Sequence, residues 1–407
     1  MQTKMLVLVA GTLGLATSVY GQVEQRELLA DISARTSYQG GGSYNERGFT
    51  ISDASGDNSL TIGGALQFNL NASFRDSDSV GDQDDFTWGF STPLTRLRAS
   101  GTIGSRELSY KIQLTMNGED GVASIDDAFA QWDFGNGWAF RWGQFNLPVV
   151  REVVVGAEDH LGTDFSVTSA YFGQGYSQGV QLEYRAEMVR FLGALSDGAG
   201  TANTNFTSPL EADYALSARL EGLVVGSDWA RFNDFTSWRS ANGDAFLLGG
   251  AAHWQSGGET GGTSDADVLI YTVDGQWEGP GYAITGVLYG SSVDTAGGDR
   301  DDFGGMAQGH FFLTDQTGIF ARWDGFFLDD SIGLSDDQIN FAFIGVNHFL
   351  FPESTAVKFT GQLGYAFDDT TPIFGTGSAL DGTTNNAFLG DAEEGEFALQ
   401  FQGQVRF

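Results

Sequence analysis

Residues 108–116 alternate without a break. Leu108, Tyr110, Ile112, Leu114 and Met116 share one side, and Ser109, Lys111, Gln113 and Thr115 the other. The same period of two runs through 60–75 and 357–367. It returns in the closing residues FALQFQGQVRF, where Phe397, Leu399, Phe401, Val405 and Phe407 oppose Gln400, Gln402, Gln404 and Arg406. Successive side chains of a strand point to opposite faces, so each segment predicts a strand with one apolar and one polar face. From Leu60 onward such segments are separated by clusters of Gly, Asp, Ser and Asn, which read as turns. Sixteen strands are predicted: 60–76, 94–103, 107–117, 124–134, 138–146, 178–186, 188–197, 213–222, 245–256, 267–277, 281–292, 303–313, 318–328, 338–350, 355–368 and 396–407.

Alternation alone does not choose between water and lipid, because a soluble sandwich alternates too. The connections carry more. GSR at 104, GNG at 135, EGP at 278, TDQT at 314 and FPES at 351 are short, whereas 77–93, 147–177, 198–212, 293–302 and 369–395 are long. Short turns on one side, long loops on the other and an even strand count make the layout of an outer-membrane barrel. Two connections fit less well: 118–123 is short for its side and 223–244 long for its side. Segment 223–244 reads as an irregular turn; an extra hairpin there would give eighteen strands. Closure pairs every backbone N–H and C=O, so a closed barrel is the sheet that can cross lipid. The expected fold is all-β, a transmembrane antiparallel β-barrel over 60–407, apolar face on lipid and polar face on a lumen wide enough for water. It provides Phe407, an aromatic that would fray in water, with a lipid neighbour. Tyr110, Trp132, Trp138, Tyr184, Trp254, Phe349 and Phe407 are candidates for the interfacial aromatic girdles.

Composition adds a compartment. The 407 residues include 58 glycines, 6 prolines and no cysteine, which excludes a disulfide framework and a thiolate metal site. The net charge of −33 disfavours nucleic acid as a partner. Lys4, the apolar run from Met5 to Ala16 and the small residues before Gln22 have the layout of a secretory signal peptide, residues 1–21. Residues 22–59 follow as an N-terminal periplasmic segment, with EQRELLADISAR expected as a short helix.

The run DDAFAQWDFGNGWAFRWGQFNLPVVRE (126–152) resembles the bacterial porin family that includes the phosphate- and polyphosphate-selective porins. In that family a strand pair of the type D-A-(F/Y), then G-Q-F-x-x-P, precedes the long third loop. Asp127, Ala128, Phe129, Gly143, Gln144, Phe145 and Pro148 match it, and 96–114 and 344–367 resemble the second and penultimate hairpins. The resemblance implies a sixteen-stranded, homotrimeric porin in the outer membrane of a Gram-negative-type bacterium. Its third loop folds inward to narrow a water-filled channel for passive diffusion of small hydrophilic solutes, anions and other ions. Outer-membrane lipid surrounds such a barrel, and the terminal Phe407 resembles the signal read by the barrel assembly machinery. No cofactor is implied. Here 147–177 is the longest connection. The phosphate-selective members line their pores with lysines and arginines, whereas this chain has three lysines, Lys4, Lys111 and Lys358.

Summed charge says acidic; charge sorted by face says otherwise. With the polar phase inward, Arg75, Arg96, Arg98, Lys111, Arg185, Arg190, Arg219, Arg322, Lys358 and Arg406 line the pore, and Arg141 joins them if its strand is regular. The inward acids are Asp133, Glu183, Glu221 and Asp324, and most other carboxylates fall in connections. Charges at a constriction set ion preference at close range, whereas loop-tip charges are screened over ~8 Å. A weakly anion-favouring or mixed constriction is expected, or equally a set of ion pairs that holds the third loop. Arg151, Glu152, Glu158, Asp159 and Asp164 of that loop are the candidate eyelet residues.

GDQDDF (81–86) and GDRDDF (298–303) are near-copies expected in loops; such oxygen-rich segments suit a hard cation such as Ca²⁺, though solvated acids are the ordinary reading. The four histidines stand far apart without metal-ligand spacing. An enzyme needs a nucleophile with a positioned base. No motif supplies one, and His160 beside Asp159 is the only candidate, with a polar loop histidine the default. The competing function is a structural or adhesive outer-membrane barrel with a closed lumen.

Overall fold

The computed structural model describes residues 41–45, 48–75, 85–116, 118, 121–259, 265–330, 338–375, 378–380 and 385–407. The expected leader 1–21 and short helix in 24–35 lie outside the described residues, as does most of the acidic segment 81–86.

Sixteen strands form one closed antiparallel ring: β3 (Ser59–Phe74), β4 (Phe86–Thr102), β5 (Leu108–Met116), β6 (Ala123–Gly135), β7 (Trp138–Asn146), β8 (Tyr176–Arg185), β9 (Val189–Ser196), β10 (Tyr214–Val225), β11 (Ala245–Ser256), β12 (Asp267–Gly279), β13 (Tyr282–Thr295), β14 (Gly298–Phe312), β15 (Thr317–Phe327), β16 (Gln338–Phe349), β17 (Val357–Ala366) and β18 (Phe397–Arg406). Each strand pairs with the next, and β18 closes on β3 from Phe397↔Phe74 to Arg406↔Ala65. Ahead of the ring, the hairpin β1 (Gly41–Asn45) and β2 (Gly48–Ser52) pairs onto the start of β3, from Phe49↔Ile62 to Ser52↔Ser59. The first barrel strand is thus shared: its beginning belongs to the hairpin and the rest to β18.

The closing pair follows from the alternation at the C-terminus. Phe401 is 52% exposed on the outside, while Gln402 is 3% exposed on the inside. Along the seam Gln67 Nε2 donates to Gln404 Oε1 at 2.8 Å and Gln400 Nε2 to Asn71 Oδ1 at 2.9 Å. The Phe407 N–H donates to Gly64 O at 3.0 Å, and the Gly64 N–H to Phe407 O at 2.6 Å. A Cβ at Gly64 would stand 2.8 Å from the Phe407 ring and 2.5 Å from Arg96 O, so only glycine admits the terminal aromatic there.

Three expectations need correction. The long connection expected at 293–302 is strand: β13 and β14 run through it and turn at 296–297, so Asp299, Asp301 and Asp302 stand on a strand extension rather than in a loop. Likewise β4 begins at Phe86, inside the expected loop 77–93. Roughly 9–11 residues suffice to cross the bilayer core, so strands this long project beyond it and there carry acids without penalty. Third, Phe349 is not in a girdle. It is 1% exposed and packs inward on Trp238 and Phe312, at 4.9 and 5.7 Å between ring centres. The other six girdle candidates lie on the outer face or near its rim, with Trp138 against Tyr184 at 4.7 Å and Trp254 against Tyr214 at 5.1 Å.

The lumen is not uniformly polar. On β13–β16 the inward positions include Val287, Tyr289, Met306, Phe326, Phe341 and Phe343, all buried. They form one core with Val150, Val167 and Phe172 of the long third loop and with Ile373, Phe374 and Phe388 of the 367–396 connection. Phe172 stacks on Tyr289 at 5.2 Å and on Phe326 at 6.3 Å. Burying such a ring supplies about 1.5–3 kcal/mol, enough to hold a loop that has little regular structure of its own.

Candidate functional site

Two segments cross the barrel interior and leave one side open. The third loop carries the short helices α1 (Arg151–Val154) and α2 (Val167–Tyr171). It is bonded to the inner wall from β10 round to β18. Arg219 and Thr272 donate to Val149 O at 3.1 and 3.0 Å, Thr168 to Asp324 at 2.9 Å, Asn347 to Leu161 O at 2.9 Å, Lys358 to His160 O at 2.6 Å and Gln402 to Thr163 O at 2.7 Å. From the 367–396 connection, Asn386 donates to Phe165 O at 2.8 Å and accepts from Arg322 at 2.8 Å. Against β4–β9 a cavity of about 590 Å³ stays open.

The wall of that cavity follows from the strand period and register. Arg96 and Arg98 stand two apart on β4, Lys111 faces Ser100 across the pair, Gln131 of β6 faces Arg141 of β7, and Arg185 of β8 faces Arg190 of β9. These six cations line the cavity together with the carboxylates of Asp127 and Glu183. Between β5 and β6 the register slips at Ile112/Leu114, a bulge that opposes Gln113 to both Asp126 and Asp127. Both acids therefore face inward, which strict alternation forbids. Lys111 pairs with Asp127 at 2.7 Å, and Arg96 with Asp126 at 3.3 Å. Nearby, Gly143 takes φ +124°, and a Cβ there would lie 2.2 Å from Ala128 O. The glycine of the G-Q-F element is thus required by the close approach of β6.

Behind the guanidiniums sit three more carboxylates. Arg98 donates to Glu158, with Arg96 at 3.8 Å from the same oxygen, and Arg190 pairs with Glu221. Burial alone would raise the Glu158 carboxyl, but Arg98 and Arg96 outweigh it and hold the group below its ordinary range. Counting Asp126, Glu158 and Glu221 with the two lining acids, the wall keeps a surplus of one positive charge. Arg141 differs from the rest. It lies over the Phe129 ring at 4.3 Å and donates to Gln131 at 2.7 Å, and among the described residues no carboxylate lies within 4.0 Å of it.

The other expected pore-lining residues also point inward but reach no open space. Arg219 is 1% exposed between Glu221 and Asp274, at 2.7 and 2.8 Å. Arg322 pairs with Asp324 at 3.2 Å under the loop, and Lys358 is 1% exposed. Arg406 pairs with Asp159 at 2.9 Å, and Arg75, half-buried, donates to Gly390 O at 3.3 Å. One set of inward cations thus lines a cavity, and another holds the loops.

The five charged residues expected at the eyelet turn away from the cavity. Arg151 donates to Gln276 at 2.9 Å, Glu152 accepts from the Ser166 N–H at 2.9 Å, Asp159 serves Arg406, and Asp164 accepts from the Phe165 N–H at 2.8 Å. Glu158 is the tether to Arg98. The loop instead presents Val153, Val154, Ala157, Phe165 and Ala170 to the cavity. Nothing in the sequence pattern marks these five, because the loop has no periodicity. His160 is buried against Phe165 and Phe235 and bonds Glu152 O at 2.9 Å, with its imidazole driven below the ordinary range by burial.

The sequence matches the family of phosphate-selective porins O and P over residues 65–358. No curated protein matches it. Among solved structures, the anion-selective porin of Comamonas acidovorans aligns with a TM-score of 0.61 at 15% identity, covering 86% of this chain and 100% of that one. The outer membrane channel DcaP of Acinetobacter baumannii aligns at 0.58 and 12% identity, covering 88% and 99%. A loop-deletion form of OmpT, an outer membrane protein of Vibrio cholerae, aligns at 0.56 and 15%, covering 86% and 100%. These likenesses concern the fold, whereas the family match spans well over half of the sequence and includes the cationic wall and the third loop. The chain therefore belongs to the phosphate-selective porin O and P family and is an outer-membrane porin, a sixteen-stranded channel for passive diffusion.

Proposed function

We propose that the open passage lies along β4–β9 and favours small anions weakly over cations. The surplus of one positive charge on its wall carries this reading, with Arg141, the lining cation that has no carboxylate at ion-pair distance among the described residues, as its strongest single contributor. Arg96, Arg98, Lys111, Arg185 and Arg190 complete the lining, and loop 147–177 narrows it. Charges further than ~8 Å from the passage are largely screened and weigh little on this preference. One lysine, Lys111, serves the cavity, so the anion class is left wider than phosphate.

The same reading takes residues 1–21 as a leader removed before assembly, outer-membrane lipid as the neighbour of the apolar face, a homotrimer as the assembly and Phe407 as the residue met by the assembly machinery. A catalytic role has no support: His160, the one candidate, is enclosed by rings and bonded to backbone. The loops that fill the β10–β18 side favour a second reading, a structural barrel whose remaining cavity does not conduct. Planar-bilayer recording in a salt gradient separates the two. The porin reading expects conductance with a reversal potential on the anion side, a cation-side potential overturns the anion preference, and absence of conductance favours the closed barrel.

A further inference from the structure

The cavity has two unlike walls. One carries the six cations on β4–β9. The other is the face of the third loop, where Val153, Val154, Ala157, Phe165 and Ala170 are partly exposed and no ionised group is offered. The charged neighbours on the loop are spent elsewhere: Arg151, Glu152 and Glu158 are each 1% exposed and bonded to the barrel or to the loop itself. Even the cationic wall has an apolar element, since the Arg141 guanidinium lies over the Phe129 ring.

A solute between these walls meets planar guanidinium donors on one side and aliphatic side chains on the other. A carboxylate or sulfonate suits the first, because guanidinium forks pair with planar oxyanions. A strongly hydrated anion gains nothing from the second, since the water it sheds on that side is replaced by no hydrogen bond. An anion with an apolar flank gains instead, because its own apolar surface leaves water together with that of Val153 and Val154. The volume of about 590 Å³ is within the size range of small-molecule sites.

We propose that the passage prefers organic anions with an apolar body, such as cyclic or branched aliphatic carboxylates, over equally charged hydrophilic anions. This rests on the anion-favouring reading and goes beyond it by naming the solute class. The test is a bi-ionic potential across planar bilayers holding the full-length protein at neutral pH, with sodium cyclohexanecarboxylate on one side and sodium glucuronate on the other. Both anions carry one charge on a six-membered ring, and protein-free bilayers give the background. The permeability ratio is expected to favour cyclohexanecarboxylate by roughly fourfold or more, the factor one buried methylene supplies. In the Val153→Thr/Val154→Thr double variant, which keeps side-chain shape and adds hydroxyls, the ratio is expected to fall by at least half. Folding of the variant is read from heat-modifiable migration. Equal permeabilities with an anion-side potential in a potassium chloride gradient overturn this proposal alone, and so does a ratio unmoved in the folded variant. A cation-side potential in potassium chloride overturns the anion-favouring reading, and this proposal with it. The wild-type ratio decides the matter even where the variant does not assemble.

Discussion

Arg98 of β4 and Glu158 of the third loop form an ion pair that joins the barrel wall to the element that narrows it. Glu158 is 1% exposed and Arg98 faces the cavity, so the pair both positions the loop and subtracts one charge from the wall. Replacing the acid by its neutral isostere separates these effects from size. Glu158→Gln is expected to shift the reversal potential in a salt gradient further to the anion side, because the surplus rises from one charge to two. An unmoved potential would mean that Arg98 does not face the permeating ion.

The same pair sets a pH dependence. The folded-state value of Glu158 lies below its ordinary 4.5, so the ionised carboxylate favours the docked loop. That contribution is fully present above pH 4.5 and is lost as pH falls through the lower folded value. Anion preference should be flat from neutral pH down to this window and rise below it. Glu158→Gln should make the rise smaller, leaving the part that the other four wall carboxylates contribute, and recordings of both proteins over a pH series check it.

Arg141 and Arg322 test whether a cation lines the passage or holds a loop. Arg141→Gln removes the surplus charge and should bring the potassium chloride reversal potential close to zero while leaving the barrel folded. Arg322→Met leaves Asp324, at 0% exposure, without its cation and should cost about 3–5 kcal/mol in stability. Denaturation in detergent measures that cost. Selectivity in the folded Arg322 variant should stay near the wild-type value.

Removing Phe407 deletes two backbone hydrogen bonds to Gly64 and the aromatic that covers it. The expected result is fewer folded barrels by heat-modifiable migration, with single-channel conductance unchanged in those that form. Gly64→Val should act in the same direction, since its side chain meets the Phe407 ring and Arg96 O.

The strands were legible because one face of each meets lipid and the other does not, which writes a period of two into 108–116 and 397–407. The same period puts Arg96, Arg98, Lys111, Arg141 and Arg185 on the inner face, where they line the cavity. It could not say that Asp126 and Asp127 face the same way, because a bulge cancels the alternation there. Nor could it separate Arg141 from Arg322, since both obey the period and differ only in what the loop covers. Phe341 and Phe343 break the rule of a polar inner face because a packed loop, not water, is their neighbour. Asp299, Asp301 and Asp302 looked like a loop because acids are rare in strands, yet that part of β14 extends past the apolar band of the barrel.

The seam between β3 and β18 has a consequence for how the molecule comes into being. Fifteen of the sixteen neighbouring pairs in the ring join strands consecutive in the chain, whereas this one joins residues 65–74 to 397–406. Bringing such distant segments together costs more chain entropy than any hairpin in the ring, so the seam is expected to be the last pairing to form. Until then residues 65–74 and 397–406 are bare edges, and the interior Gln67, Asn71, Gln400 and Gln404 have no partners across the seam. The protein therefore has no half-made pore: permeability arrives in a single event, when its two ends meet.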